Sequence, residues 1–148
     1  MLQTLPLIKE SFIDSGKVYY VFKDLPLPFH PNAQKAAEAA RCAGAQGAYQ
    51  PMHELLFESQ SQWSGQNAAA VLDTFVTYAG ELGLDAEAFR ACVESGQFAA
   101  QIAQDMKEAQ QAGISGTPSF LINGQLLVGA YPFENFQQMI EAALKTAE

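Results

Sequence analysis

The chain has 148 residues, 49% of them hydrophobic and 16% charged, with eleven glycines and seven prolines, which places it among ordinary globular proteins. A chain of this length suits one domain, residues 1–148, and buries roughly two thirds of the surface its unfolded form exposes. Sixteen acidic against eight basic residues give a net charge of −8, and the scattered Lys and Arg argue against nucleic acid or an anionic membrane as partner.

No apolar run approaches the roughly 18 to 20 residues that span a bilayer, and Met1–Pro6 lacks a basic segment followed by an apolar one. The sequence therefore reads as a soluble chain whose compartment its start does not reveal. Leu2, Leu5, Ile8 and Phe12 recur at helical spacing over residues 2–15, and Gly16 stands where a helix-ending residue is expected. Pro6 predicts either a kink in that helix or a helix that starts there. Lys17–Asp24 is dense in β-branched and aromatic residues without polar alternation and predicts a strand buried on both faces, stopped by Leu25-Pro26-Leu27-Pro28.

From Asn32 to about Ser95 the pattern is helical and rich in alanine. Breaks at Gly44–Gly47, Ser59–Gly65 and Gly83-Leu84-Asp85 define four helices, the last opened by Asp85 as N-cap. A further helix over about 98–112 turns Phe98, Ile102, Met106 and Ala109 to one face, and Gly113 follows it. The period then changes: Ser119–Ile122 and Gln125–Val128 flank Asn123-Gly124, the pair best suited to a type I′ hairpin turn. Tyr131-Pro132 opens a last helix with Phe133, Phe136, Ile140 and Leu144 toward the core.

Cys42 and Cys92 lie 50 positions apart, outside any Cys-x-x-Cys or zinc-type cluster, so no metal site and no cofactor are expected. Spacing alone leaves two free buried thiols and one structural bridge equally open. His30 and His53 have no partner at metal or triad spacing and read as surface or interface histidines. Trp63 is expected in a loop, as a hydrophobic plug rather than a ligand platform. The alanine runs 36–45 and 68–70 are helix-forming, close-packing surfaces.

The order of elements and two segments, Lys23–Gly44 and Gly113–Gly129, resemble the DsbA-like thioredoxin-fold family of protein disulfide oxidoreductases. The first is similar to that family's strand exit and first inserted helix, the second to its cis-proline loop and hairpin. The resemblance implies an α/β thioredoxin-like fold with an inserted all-helical block: residues 1–24 and 113–148 as the thioredoxin part, 32–112 as the insertion. It implies a cis Thr117-Pro118 bond, with both residues contacting substrate, and a structural disulfide between Cys42 and Cys92. Its chemistry is thiol exchange by a thiolate held at a helix N-terminus. Unfolded or extended polypeptides are the implied substrates, with a redox partner protein and a bacterial, extracytoplasmic location.

In that family Cys-x-x-Cys precedes the helix that is already under way at Met1. The resemblance therefore places the motif just ahead of Met1, with the fold's first strands, and implies a protein that starts earlier, the alternative being a chain that starts at an internal methionine; no catalytic residue is assigned within residues 1–148. The chain by itself is predicted to be inactive, with open edges at strands 17–23 and 119–123 that leave it either a homodimer or poorly folded. The competing readings are a redox-inactive peptide-binding module and, more weakly, a glutathione-dependent isomerase.

Overall fold

A computed structural model describes residues 3–146, a mixed α/β fold that is mostly helical with a small sheet. The backbone divides into two compact units, one running up to Phe22 and resuming at Ala112, the other Lys23–Gln111.

The first unit opens with α1 (Thr4–Ile8), which continues as a π-helical turn over Lys9–Ile13. Leu2 lies outside the described residues. Pro6 is the third helical residue among those described, where a backbone donor has no intrahelical partner to lose, so proline fits without breaking the helix. In the wider turn the Asp14 amide donates to the Lys9 carbonyl at 2.9 Å, and Gly16, at φ 73°, ends the segment. Ile8 and Phe12 are buried with Phe136 and Ile140 of α8 (Phe133–Thr146).

The strand expected over Lys17–Asp24 does not form. A strand exists only with a ladder partner, and among the described residues the sheet is the hairpin alone. Burial over Val18–Phe22 alternates, with Tyr19 92% and Val21 53% exposed, so the segment presents one face to solvent rather than burying two. The hairpin itself matches its expected bounds: β1 (Ser119–Ile122) pairs antiparallel with β2 (Gln125–Val128), Phe120 opposite Leu127 and Leu121 opposite Leu126. Asn123 and Gly124 adopt φ 47° and 84°, as a type I′ turn demands. Phe120 meets Phe136 edge-on at 4.8 Å, while Leu121, Leu126 and Val128 are exposed.

The helical unit holds α2 (Ala33–Gly44), α3 (Tyr49–Glu58), α4 (Gln60–Trp63), α5 (Ala68–Glu81), α6 (Ala86–Ser95) and α7 (Ala99–Gln111). The break expected at Ser59–Gly65 thus contains a short helix, and Trp63 ends that helix instead of lying in a loop. The plug reading of Trp63 matches its surroundings: the ring is buried, packs edge-on against Phe75 at 5.3 Å, and its Nε1 donates to the Leu56 carbonyl at 2.8 Å. Asn32 holds this corner by donating to the carbonyls of Trp63, Ser64 and Gln66. Asp85 caps α6, accepting from the Ala88 amide, and Asn67 caps α5 in the same way. Alanines 39, 40 and 43 let α2 approach its neighbours closely, and Val71, Phe75, Phe89 and Val93 fill the space between.

His53, read as a surface or interface histidine, is half-buried on its own helix. Tyr49, His53 and Phe57 recur every fourth residue on α3, so the imidazole lies half-buried between the two rings, at 5.9 and 4.9 Å between centroids. Burial pushes its pKa below the ordinary value. His30 is exposed, against the ring of Phe29.

Candidate functional site

Two sets of residues singled out in the sequence lie in different units. In the first unit, Gly113 at φ 73° turns the chain out of α7, and residues 114–118 lead into β1. The Thr117-Pro118 bond is cis. Ser119 Oγ donates to the Gly116 carbonyl at 2.7 Å, and the Gly129 amide donates to the Pro118 carbonyl at 2.9 Å, extending the hairpin ladder beyond β1. Pro118 thus sits where a missing donor costs the ladder nothing. Thr117 is exposed and takes part in none of the hydrogen bonds formed among the described residues. Among those residues β1 has β2 on one side and no strand on the other. Among the described residues the chain bends through residues 116–118, and Thr117 there keeps its backbone donor and acceptor unused beside the open edge of β1, the kind of edge to which a peptide strand can add.

In the helical unit Cys42 and Cys92 are joined, with an S–S distance of 1.99 Å and Cα atoms 5.9 Å apart. The bridge ties α2 to α6. Cys42 is 1% exposed and Cys92 partly exposed, and no cysteine among the described residues is free to act as a nucleophile. No group of three or more His, Cys, Asp or Glu able to hold a metal occurs among the described residues.

Sequence reasoning missed a charged network in this unit. Arg41 Nε donates to Asp24 Oδ2 and Arg41 Nη2 to Asp105 Oδ2, both at 2.6 Å. Lys23 Nζ reaches Asp105 Oδ1 and Glu108 Oε2, each at 2.9 Å. Burial holds the Asp24 carboxyl above the usual carboxylate range, with Arg41 pulling the other way. Burial is the largest influence on Arg41 and opposes its charge, but the hydrogen bond to Asp24 together with the charges of Asp24 and Asp105 and with Tyr49 outweighs it, so the guanidinium stays above its ordinary pKa. The available signal was Asp105 itself, a carboxylate three residues after Ile102 on the stripe read as the apolar face of its helix.

With this geometry in hand, comparisons with known proteins are specific. The family model described as "Thioredoxin" matches residues 2–142. The chain is 36% identical over 146 residues to the Na(+)/H(+) antiporter NhaA 3 of Salinispora tropica, covering 98% of this chain and 21% of that protein. It spans about a fifth of the length of such antiporter relatives. Among solved structures, a thioredoxin-like oxidoreductase from Silicibacter pomeroyi is 28% identical with a TM-score of 0.75, covering 97% of this chain and 79% of that one. The alpha-DsbA1 of Wolbachia pipientis is 25% identical with a TM-score of 0.78, covering 97% and 77%.

Proposed function

The chain belongs to the DsbA-like thiol-disulfide oxidoreductase family of the thioredoxin fold, and on that footing we propose that it takes part in protein disulfide exchange by gripping extended polypeptide at Thr117 and Pro118. The observation that carries this reading is the exposed, hydrogen-bond-free Thr117 beside the unpaired edge of β1. A peptide laid antiparallel along that edge would gain backbone hydrogen bonds, and the exposed Leu121 would give its side chains an apolar neighbour. The thiolate for exchange must come from outside residues 1–148, since both cysteines of this sequence are spent on the α2–α6 bridge. An extracytoplasmic compartment suits that bridge, because disulfides persist where the surroundings are oxidising. A redox partner protein belongs to the same reading.

The bridge equally favours a second reading, a peptide-binding module without redox turnover. Two assays separate and test these readings. Titration with a reduced, alkylated unfolded polypeptide should show saturable binding that Thr117→Lys weakens at least tenfold; equal affinity in the variant would defeat the assignment of the loop. Insulin reduction by the chain should stay at the thiol background, and turnover abolished by Cys42→Ala would show that the bridge is itself the reactive pair. Exchange that appears once a Cys-x-x-Cys segment is joined ahead of residue 1 supports the enzyme, and its absence there supports the binding module.

A further inference from the structure

The helical unit is entered at Lys23 and left after Gln111, and the charged network joins these two places. Asp105, 3% exposed on α7, accepts three hydrogen bonds: from Lys23 Nζ, from the Asp24 amide at 3.1 Å, and from Arg41 on α2. Arg41 spans both carboxylates with two different nitrogens, which only a planar guanidinium fork does well. Its guanidinium carbon also lies 5.7 Å from the centre of the Tyr49 ring. With Glu108 the groups are two cations and three anions, so each cation is matched.

Helix α7 needs this network more than its neighbours do. The buried core of the unit draws its residues from α2, α3, α4, α5 and α6. Among the described residues no hydrophobic side chain of α7 packs on that cluster; Phe98, just ahead of α7, does, and Ile102 of α7, though fully buried, lies outside it. Apolar attachment of α7 within its unit is therefore thin, and the polar attachment is dense. We propose that Arg41, Asp24, Asp105 and Lys23 form a clasp that docks α7 and the entering chain together onto the disulfide-stapled core, so that α7 can open as a separate element when the clasp is broken. Arg41 is fitted to this because it precedes Cys42, whose bridge anchors α2 to α6.

Hydrogen exchange on the full chain, resolved by residue, tests the clasp. In Arg41→Ala the amides of α7 should exchange about a hundredfold faster while those of α5 and α6 change less than about threefold, the signature of a local opening. Arg41→Lys, which keeps the charge but not the fork, should give about tenfold in α7 and serves if the alanine variant does not fold. Glu108→Gln, at the exposed end of the network, should leave α7 within about threefold. Unchanged α7 exchange in both Arg41 variants, or an equal rise throughout the helical unit, would overturn the proposal.

Discussion

The two units of this molecule solve opposite problems. Among the described residues the helical unit gathers thirteen buried side chains into one cluster and adds a disulfide, whereas the other unit buries four. That smaller unit instead exposes Tyr19, Val21, Leu121, Leu126 and Val128. Packing of this kind identifies where stability resides, and exposed apolar side chains beside unused backbone identify where another chain can be held. On the proposed function, stability and recognition are thus drawn from different stretches of the sequence.

The largest test of that division lies in the helical core. Phe75 is fully buried against Trp63 and Tyr78, so Phe75→Ala should cost about 3 to 5 kcal/mol in denaturant unfolding, while leaving polypeptide affinity per folded molecule unchanged. Next comes the bridge. Its cysteines are separated by 50 positions, so replacing both by alanine should remove up to about 4 kcal/mol on the chain-entropy account. A loss of peptide binding larger than the loss of folded protein in either variant would break the comparison.

A smaller effect follows from His53. Its folded pKa lies below the ordinary value of about 6.5 because burial disfavours the imidazolium. The unfolded chain therefore binds the proton more readily, so this contribution to stability is present above that pH and lost as pH falls below it. His53→Gln should flatten the decline in unfolding free energy between pH 7 and 5, and an unaltered slope would contradict the assignment. The smallest expected change in stability comes from Leu121→Lys on the exposed hairpin face, where substitutions usually stay within about 0.5 kcal/mol. The same variant should lower any concentration-dependent self-association seen by light scattering, because a lysine on an open edge disfavours strand pairing between copies.

Much of this was legible in the sequence where the determinants are local. Asn123-Gly124 set the hairpin, Asp85 capped its helix, and the spacing of Phe136 and Ile140 gave the buried face of α8. The failures share a cause. Lys17–Asp24 has strand composition, but a ladder depends on a partner far along the chain, and composition does not supply one. Arg41 meets Asp24 across 17 positions and Asp105 across 64, so the network has no local signature beyond one carboxylate on an apolar stripe. The misplacing of Trp63 in a loop, and the silence of the sequence about the surroundings of His53, have a related reason. Ser59-Gln60-Ser61 looks like a linker until Asn32 is seen to hold the carbonyls that follow, and the rings beside His53 are neighbours only once α3 exists. The loop at Thr117 was marked by resemblance, and its exposure became visible only in three dimensions.

The central claim is that recognition resides in the loop before β1 and not in the helical unit. Residue-resolved NMR of the full chain, titrated with an extended unfolded peptide, tests it most directly. The account predicts shift changes concentrated at residues 116–122, unaltered when Cys42 and Cys92 are both replaced by alanine. Changes concentrated in α2 through α7, or binding that disappears with those cysteines, would contradict it.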